Sequence, residues 1–158
     1  MKRYTTWLGT LAVCLALACS PSTKVSDPLT GSWTLNLAKT HYGPGVDRRT
    51  NETFTCKVTG PRVACQIQSL RADGRSLLGK FDAAYDGHAY PVVGIPDIDH
   101  VSLRRLDDFT AEATFSLAGK PGFAYRSTRA VDGRSLTIVS VDPVSRTVLS
   151  SVVVYDAR

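Results

Sequence analysis

The chain has 158 residues, 21% of them charged and 43% hydrophobic, with a formal net charge of +5. That is one domain's length, enough to bury a core, with the composition of an ordinary globular protein rather than a disordered one. The basic excess is small and dispersed, and it shrinks further if Lys2 and Arg3 are removed, so nucleic acid is not an expected partner.

From the N-terminus, Met1-Lys2-Arg3 is a positive n-region, Trp7 to Ala18 is an apolar run, and Ala16-Leu17-Ala18 precedes Cys19. This is the layout of a bacterial signal peptide over residues 1–18, with an apolar run too short to span a membrane. Leu17-Ala18-Cys19 is also similar to a lipoprotein box, which makes Cys19 the expected lipidation site and mature N-terminus. Ala16 and Leu17 depart from the usual residues of that box, so cleavage after Ala18 by the ordinary signal peptidase is the competing expectation. Ser20 after the cysteine fits retention at the outer membrane. Residues 19–30, rich in Ser, Pro and Thr, read as a flexible tether, leaving 31–158 as the folded domain. The expected location is the cell envelope, either the periplasmic side of the outer membrane or the periplasm, with membrane contact through a lipid anchor alone.

Glu52 and Glu112 are the only glutamates and Met1 the only methionine, while Val, Thr, Ser and Arg are plentiful, so the chain leans to β-structure. Gly31-Ser32-Trp33-Thr34-Leu35-Asn36 is the first strand-like segment. Gly31 permits close backbone approach, and Trp33 can plug a barrel end, its indole N–H requiring a partner. Residues 38–47 (AKTHYGPGVD) carry too much Gly and Pro for a regular element and read as a loop over one barrel end. Asn51–Val58 and Arg62–Arg71 form a hairpin about Gly60-Pro61, in which 58 pairs with 63, 56 with 65 and 54 with 67. That register places Phe54/Ile67, Cys56/Cys65 and Val58/Val63 on one face. In an exported protein Cys56 and Cys65 are then expected to form a disulfide, against the alternative of two reduced core thiols.

Further strands follow at close spacing: Ser76–Tyr85 after Asp73-Gly74, His88–Val92 after Asp86-Gly87, then a turn-rich stretch over 93–99. His100–Leu106, Ala111–Leu117 and Gly122–Val131 come next, and Asp132-Gly133 and Asp142-Pro143 turn into Ser135–Val141 and Arg146–Tyr155. Asp-Gly suits hairpin turns because both residues tolerate positive φ. Ala111, Ala113, Phe115 and Leu117 alternate with Thr110, Glu112, Thr114 and Ser116, the pattern of a half-buried antiparallel strand. No segment shows a helical period. The expected fold is all-β, a single antiparallel up-and-down β-barrel of about eight to ten strands, which abolishes exposed edges; a two-sheet β-sandwich is the alternative.

Gly31-Ser32-Trp33 at the start of such a barrel resembles the G-x-W signature of the lipocalin and wider calycin group. More specifically, GSWTLNLAKTHYGPG, YDGHAYPVVGIPDIDHVSLRRLD and the ending VVVYD resemble a group of small, exported, lipocalin-like bacterial proteins without an assigned activity. The resemblance spans roughly Gly31 to Asp156 and implies a β-barrel; it carries over no functional residue, and a fold does not fix a function.

His88, Asp97, Asp99 and His100 could supply metal ligands, but none has the close paired spacing of a metal motif, and a solvated loop accounts for them. No G-x-S-x-G elbow accompanies the many serines. Arg104-Arg105 lie on alternating strand positions, so only one can face inward, and a solvated outer face explains the pair. No catalytic constellation, metal site or cofactor is expected, and the protein is read as a non-enzyme. Phe81, Tyr85, Tyr90 and Trp33 are candidate cavity-lining aromatics, with Phe81, Tyr85 and Tyr90 the candidate ligand contacts and Trp33 a structural plug; plain core is the commoner role of such residues. Two functions follow. One is a carrier or sensor that binds a small apolar or amphipathic molecule, since a barrel of this size can hold one small ligand. The other is a non-catalytic interaction or inhibitor module with a filled core, contacting an envelope protein through loops such as 38–47 and 93–99.

Overall fold

The alternation seen at Ala111–Leu117 is repeated around the whole domain and closes it on itself. In a computed structural model, which describes residues 27–44 and 48–158, ten strands form one closed antiparallel barrel. They are β1 (Gly31–Leu35), β2 (Arg49–Thr59), β3 (Arg62–Arg71), β4 (Ser76–Ala84), β5 (Asp86–Val93), β6 (His100–Arg105), β7 (Thr110–Leu117), β8 (Lys120–Arg129), β9 (Ser135–Val141) and β10 (Val148–Ala157). Each strand pairs with its neighbours in sequence, and β1 pairs with both β2 and β10. The expected up-and-down barrel is therefore formed, and the two-sheet sandwich is not. The leader, Cys19 and most of the expected tether lie outside the described residues.

The β2–β3 register is the one read from the sequence: Phe54 faces Ile67, Cys56 faces Cys65 and Val58 faces Val63. Cys56 and Cys65 are joined by a disulfide. Asp73-Gly74 and Asp132-Gly133 turn the chain as expected, with positive φ at both glycines. Asp86-Gly87 lies at the centre of the β4–β5 reversal, as expected, since Lys80 pairs with Val93 and Phe81 with Val92, and Gly87 has positive φ. The dipeptide also begins β5, whose register against β6 shifts between Asp86 and Ala89.

Inward positions follow from the pairing, because residues opposite each other share a face. Trp33, Phe54, Val63, Cys65, Phe81, Val101, Leu103, Phe115, Leu136 and Tyr155 form one buried cluster. Glu112 lies on the outward parity of β7 yet is 4% exposed, because Arg126 of β8 folds over it, donating from Nε at 2.9 Å and Nη2 at 2.7 Å to a single carboxylate oxygen.

The strands alternate in direction, so the barrel has two distinct ends. At one end residues 27–30, the last part of the expected tether, fold into the barrel, with Pro28 and Leu29 buried. Asp27 Oδ1 accepts from the Leu29 N–H at 2.9 Å and from the Tyr85 hydroxyl at 2.9 Å. Trp33, 1% exposed, donates its indole N–H to the Leu29 carbonyl at 3.0 Å, and the Arg129 guanidinium lies 5.5 Å from the Trp33 ring centre. Gly31 is required here: its φ is +143°, and a Cβ would come within 3.0 Å of the Trp33 ring. The G-x-W motif is thus a backbone position that yields space to the ring two residues later. The other end carries the β1–β2, β3–β4, β5–β6, β7–β8 and β9–β10 connections and is open.

Candidate functional site

A cavity of about 790 Å³ runs down the barrel from this open end to Leu29 at the closed end, within the range of small-molecule sites. Its wall has two parts. Phe54, Ile67, Phe81, Phe115, Phe123 and Ile138 make an apolar surface. Within it Phe115 meets Phe81 edge-on at 6.2 Å and Phe123 at 5.0 Å between ring centres, spacings typical of favourable aromatic pairs. These side chains are positioned by parity alone, for Phe115 faces Phe123 across β7–β8 and Cys65 faces Phe81 across β3–β4.

The second part is polar and buried. Arg49, at the start of β2, reaches inward through a register shift between Arg49 and Asn51. Its Nη1 donates to Glu52 Oε1 at 3.0 Å and to the Tyr155 hydroxyl at 3.0 Å, and its Nη2 donates to the Tyr125 hydroxyl at 3.2 Å. Tyr155 in turn donates to Glu52 Oε1. The guanidinium and carboxylate side chains are 12% and 5% exposed, so the ion pair is a buried one whose desolvation is offset only by this network. Burial foremost, with help from Glu52 and opposed by Arg49, holds the Tyr155 phenol well above its usual range, so it stays a donor. Burial opposes the charge on Arg49, but Tyr155 and Glu52 more than offset it and keep the guanidinium more firmly protonated than usual. Arg49 Nε is buried and has no acceptor.

The mouth is bounded by the β3–β4 turn, Gly94–Ile98, the start of β8 and Asp142-Pro143. It carries both signs of charge, Arg71 and Arg75 with Asp97 and Asp142. Gly94–Ile98 is laid tightly onto β4: a Cβ at Gly94 would stand 2.0 Å from the Leu78 carbonyl oxygen, and a Cβ at Gly79 would stand 2.6 Å from the Ile95 side chain.

Of the aromatics singled out in the sequence, Phe81 lies on the cavity wall. Tyr85 lies at the closed end on Asp27, its phenol raised by burial and by that carboxylate. Tyr90 lies on β5, donating to Asp86 Oδ2 at 2.7 Å under the Arg62 guanidinium, 4.7 Å from its ring centre. Trp33 closes the floor. Arg105 hydrogen-bonds the exposed 107–108 turn, and Arg104 faces Glu112 in the β6–β7 register. His88 begins β5 near the closed end and pairs with Asp86, whereas His100 begins β6 at the mouth and pairs with Asp99. Among the described residues no three His, Cys, Asp or Glu side chains converge as a metal site would require.

Arg49, Glu52, Tyr125 and Tyr155 were not singled out in the sequence, although one signal was present. The parity that turns Phe54, Cys56 and Val58 inward turns Glu52 inward as well. Comparison with protein-family models, with curated proteins and with solved structures finds no match to this chain.

Proposed function

We propose that this barrel binds or carries a small apolar or amphipathic molecule in the cell envelope, the chain being exported by its N-terminal leader and anchored through Cys19 at the periplasmic side of the outer membrane. The observation that carries the reading is the cavity of about 790 Å³, open at one end and lined by aromatic and aliphatic side chains with a few buried polar groups. Such a mixture of apolar wall and few polar groups is the usual character of a small-molecule site. An interaction module with a filled core has no use for that volume. Native mass spectrometry of the protein purified from its own host tests the proposal: a co-purifying small molecule is expected, and a protein partner with an empty barrel would favour the module instead. Labelling of cells with a radioactive fatty acid tests the anchor, and an unlabelled mature protein beginning at Cys19 would remove it.

A further inference from the structure

The hydrogen bonds of the buried polar wall leave one hydroxyl donor unspent. Arg49 Nη1 is spent on Glu52 and Tyr155, and Tyr155 is spent on Glu52. Tyr125 differs. Its oxygen accepts from Arg49 Nη2, so its own O–H is directed elsewhere, and Tyr125 lines the cavity. Arg49 Nε is a buried donor without an acceptor. A group that enters beside Tyr125 can therefore spend a lone pair on its hydroxyl. A buried donor left unsatisfied costs the desolvation of that group, while a ligand acceptor recovers it, and a hydroxyl already accepting from a guanidinium is polarised into a better donor.

The charge of the wall restricts the ligand further. Arg49 and Glu52 balance each other at 3.0 Å. A buried carboxylate or phosphate added beside them would stand near Glu52 with no counter-charge of its own, and an uncompensated buried charge is strongly unfavourable. A cationic head fares no better, because it would stand beside the Arg49 guanidinium, with which the one carboxylate here is already paired at 3.0 Å. Phe54 lies against Tyr155, and Phe115 and Phe123 lie against Tyr125, which suits a hydrocarbon or ring body.

Resting on the carrier reading above, we propose that the cavity takes an uncharged amphiphile whose acceptor oxygen, of the ketone or ester kind, receives a hydrogen bond from Tyr125 while its apolar body lies along the Phe115–Phe123 wall. Tyr125 is the specificity residue of this arrangement, and Glu52 is the residue that excludes anions.

Three chain-matched probes test it: 2-undecanone, undecanoate and undecane, each titrated against delipidated mature protein by displacement of the neutral dye Nile red. The ketone is expected to bind about five- to tenfold more tightly than either of the others, the worth of one good hydrogen bond. Tyr125→Phe should reduce the ketone to the level of undecane and leave undecane unchanged. Glu52→Gln should raise the affinity for undecanoate, an outcome that loss of a merely structural contact would not produce. If Glu52→Gln does not fold, as judged by its circular dichroism, Tyr125→Phe decides alone. Undecanoate binding most tightly to the parent, equal binding of ketone and undecane, or a ketone preference that survives Tyr125→Phe would each overturn the inference while leaving the carrier reading intact. Failure of all three probes to displace bound dye, or of the dye to bind folded protein, would overturn both.

Discussion

The two ends of the barrel differ in what fills their interior. At the closed end, segments distant in sequence are tied by directed polar contacts: Asp27 to Tyr85, Trp33 to Leu29, Arg129 to the carbonyl of Thr30 at 3.2 Å. The apolar side chains there, Pro28, Leu29 and Trp33, are covered. Outside this plug the turns of the same end expose Val58, Leu106, Phe109 and Val131. At the mouth Leu78, Val93, Leu117, Val144 and Leu149 stand in water, and no such plug fills the interior; some polar side chains there satisfy their own turns, as Asp142 does for the N–H groups of Val144 and Ser145, while Asp99 and Arg146 reach the Ala118 N–H and the Thr114 hydroxyl. A rim of exposed apolar groups contributes little to folding but can receive an apolar molecule on its way in. A packed plug thus closes one end, and access is at the other.

The largest test of that division is Trp33→Ala. Removing a buried Trp leaves a cavity as well as lost burial, so a denaturant melt should lose about 3–5 kcal/mol. Ligand affinity, measured where the variant is folded, should change far less, because Trp33 lies below the cavity floor. A melt within about 1 kcal/mol of the parent, under the usual range for core truncation, would show that the closed end does not carry the stability. Next in size is the disulfide, which staples the same half of the barrel. Replacing Cys56 and Cys65 by Ala should cost about 2–3 kcal/mol, since the sequence separation is only 9 and the loop-closure term for so short a loop is modest. Peptide mapping without reductant should recover the two residues as one linked pair.

The difference between the ends also explains what could be read from the sequence. The barrel was legible because strand alternation and hairpin register are local: Phe54/Ile67, Cys56/Cys65 and Val58/Val63 match in polarity, and only one register permits that. Trp33 was legible as a plug because the three-residue G-x-W motif points to it. The polar wall was not, for Arg49 and Glu52 look like surface charges until β10 and β8 bring Tyr155 and Tyr125 to them, from 106 and 76 residues away. Tyr85 and Tyr90 were read as candidate cavity aromatics because large rings on barrel strands can line a cavity. Both are held at the closed end instead, where Tyr85 bonds Asp27 and Tyr90 bonds Asp86, partners that strand periodicity does not reveal.

At the mouth the expected effects are smaller and fall on binding. Leu149, at 49% exposure, lines the cavity entrance, and Leu149→Ser should leave the melt within about 0.5 kcal/mol of the parent, as for other surface substitutions. The same change should weaken Nile red binding measurably, because part of the apolar entrance is lost. A destabilisation as large as that of Trp33→Ala would erase the distinction between the two ends.

The smallest effect concerns a polar contact in the β4–β5 half of the closed end. The Asp86 carboxyl is drawn down to about 2, first by the hydrogen bond from the Tyr90 hydroxyl, then by the His88 backbone N–H and the His88 side chain. A carboxylate with a depressed folded-state pKa contributes stability that is present above the unfolded value of about 3.9 and is lost as pH falls through the folded one. The contribution of Asp86 should therefore be complete at pH 5 and gone below pH 2. Tyr90→Phe keeps the ring beneath Arg62 but removes the leading donor, so the Asp86 midpoint should rise toward the ordinary carboxylate range in a carbon-13 carboxyl titration. Melts of the two proteins should differ at pH 5 and converge near pH 2. The group is solvent-exposed, so the difference at pH 5 should also shrink in high salt, as screened surface electrostatics do. An Asp86 midpoint that does not move in Tyr90→Phe would mean that the phenol does not hold the carboxylate, and that this part of the closed end is no more firmly tied than the mouth.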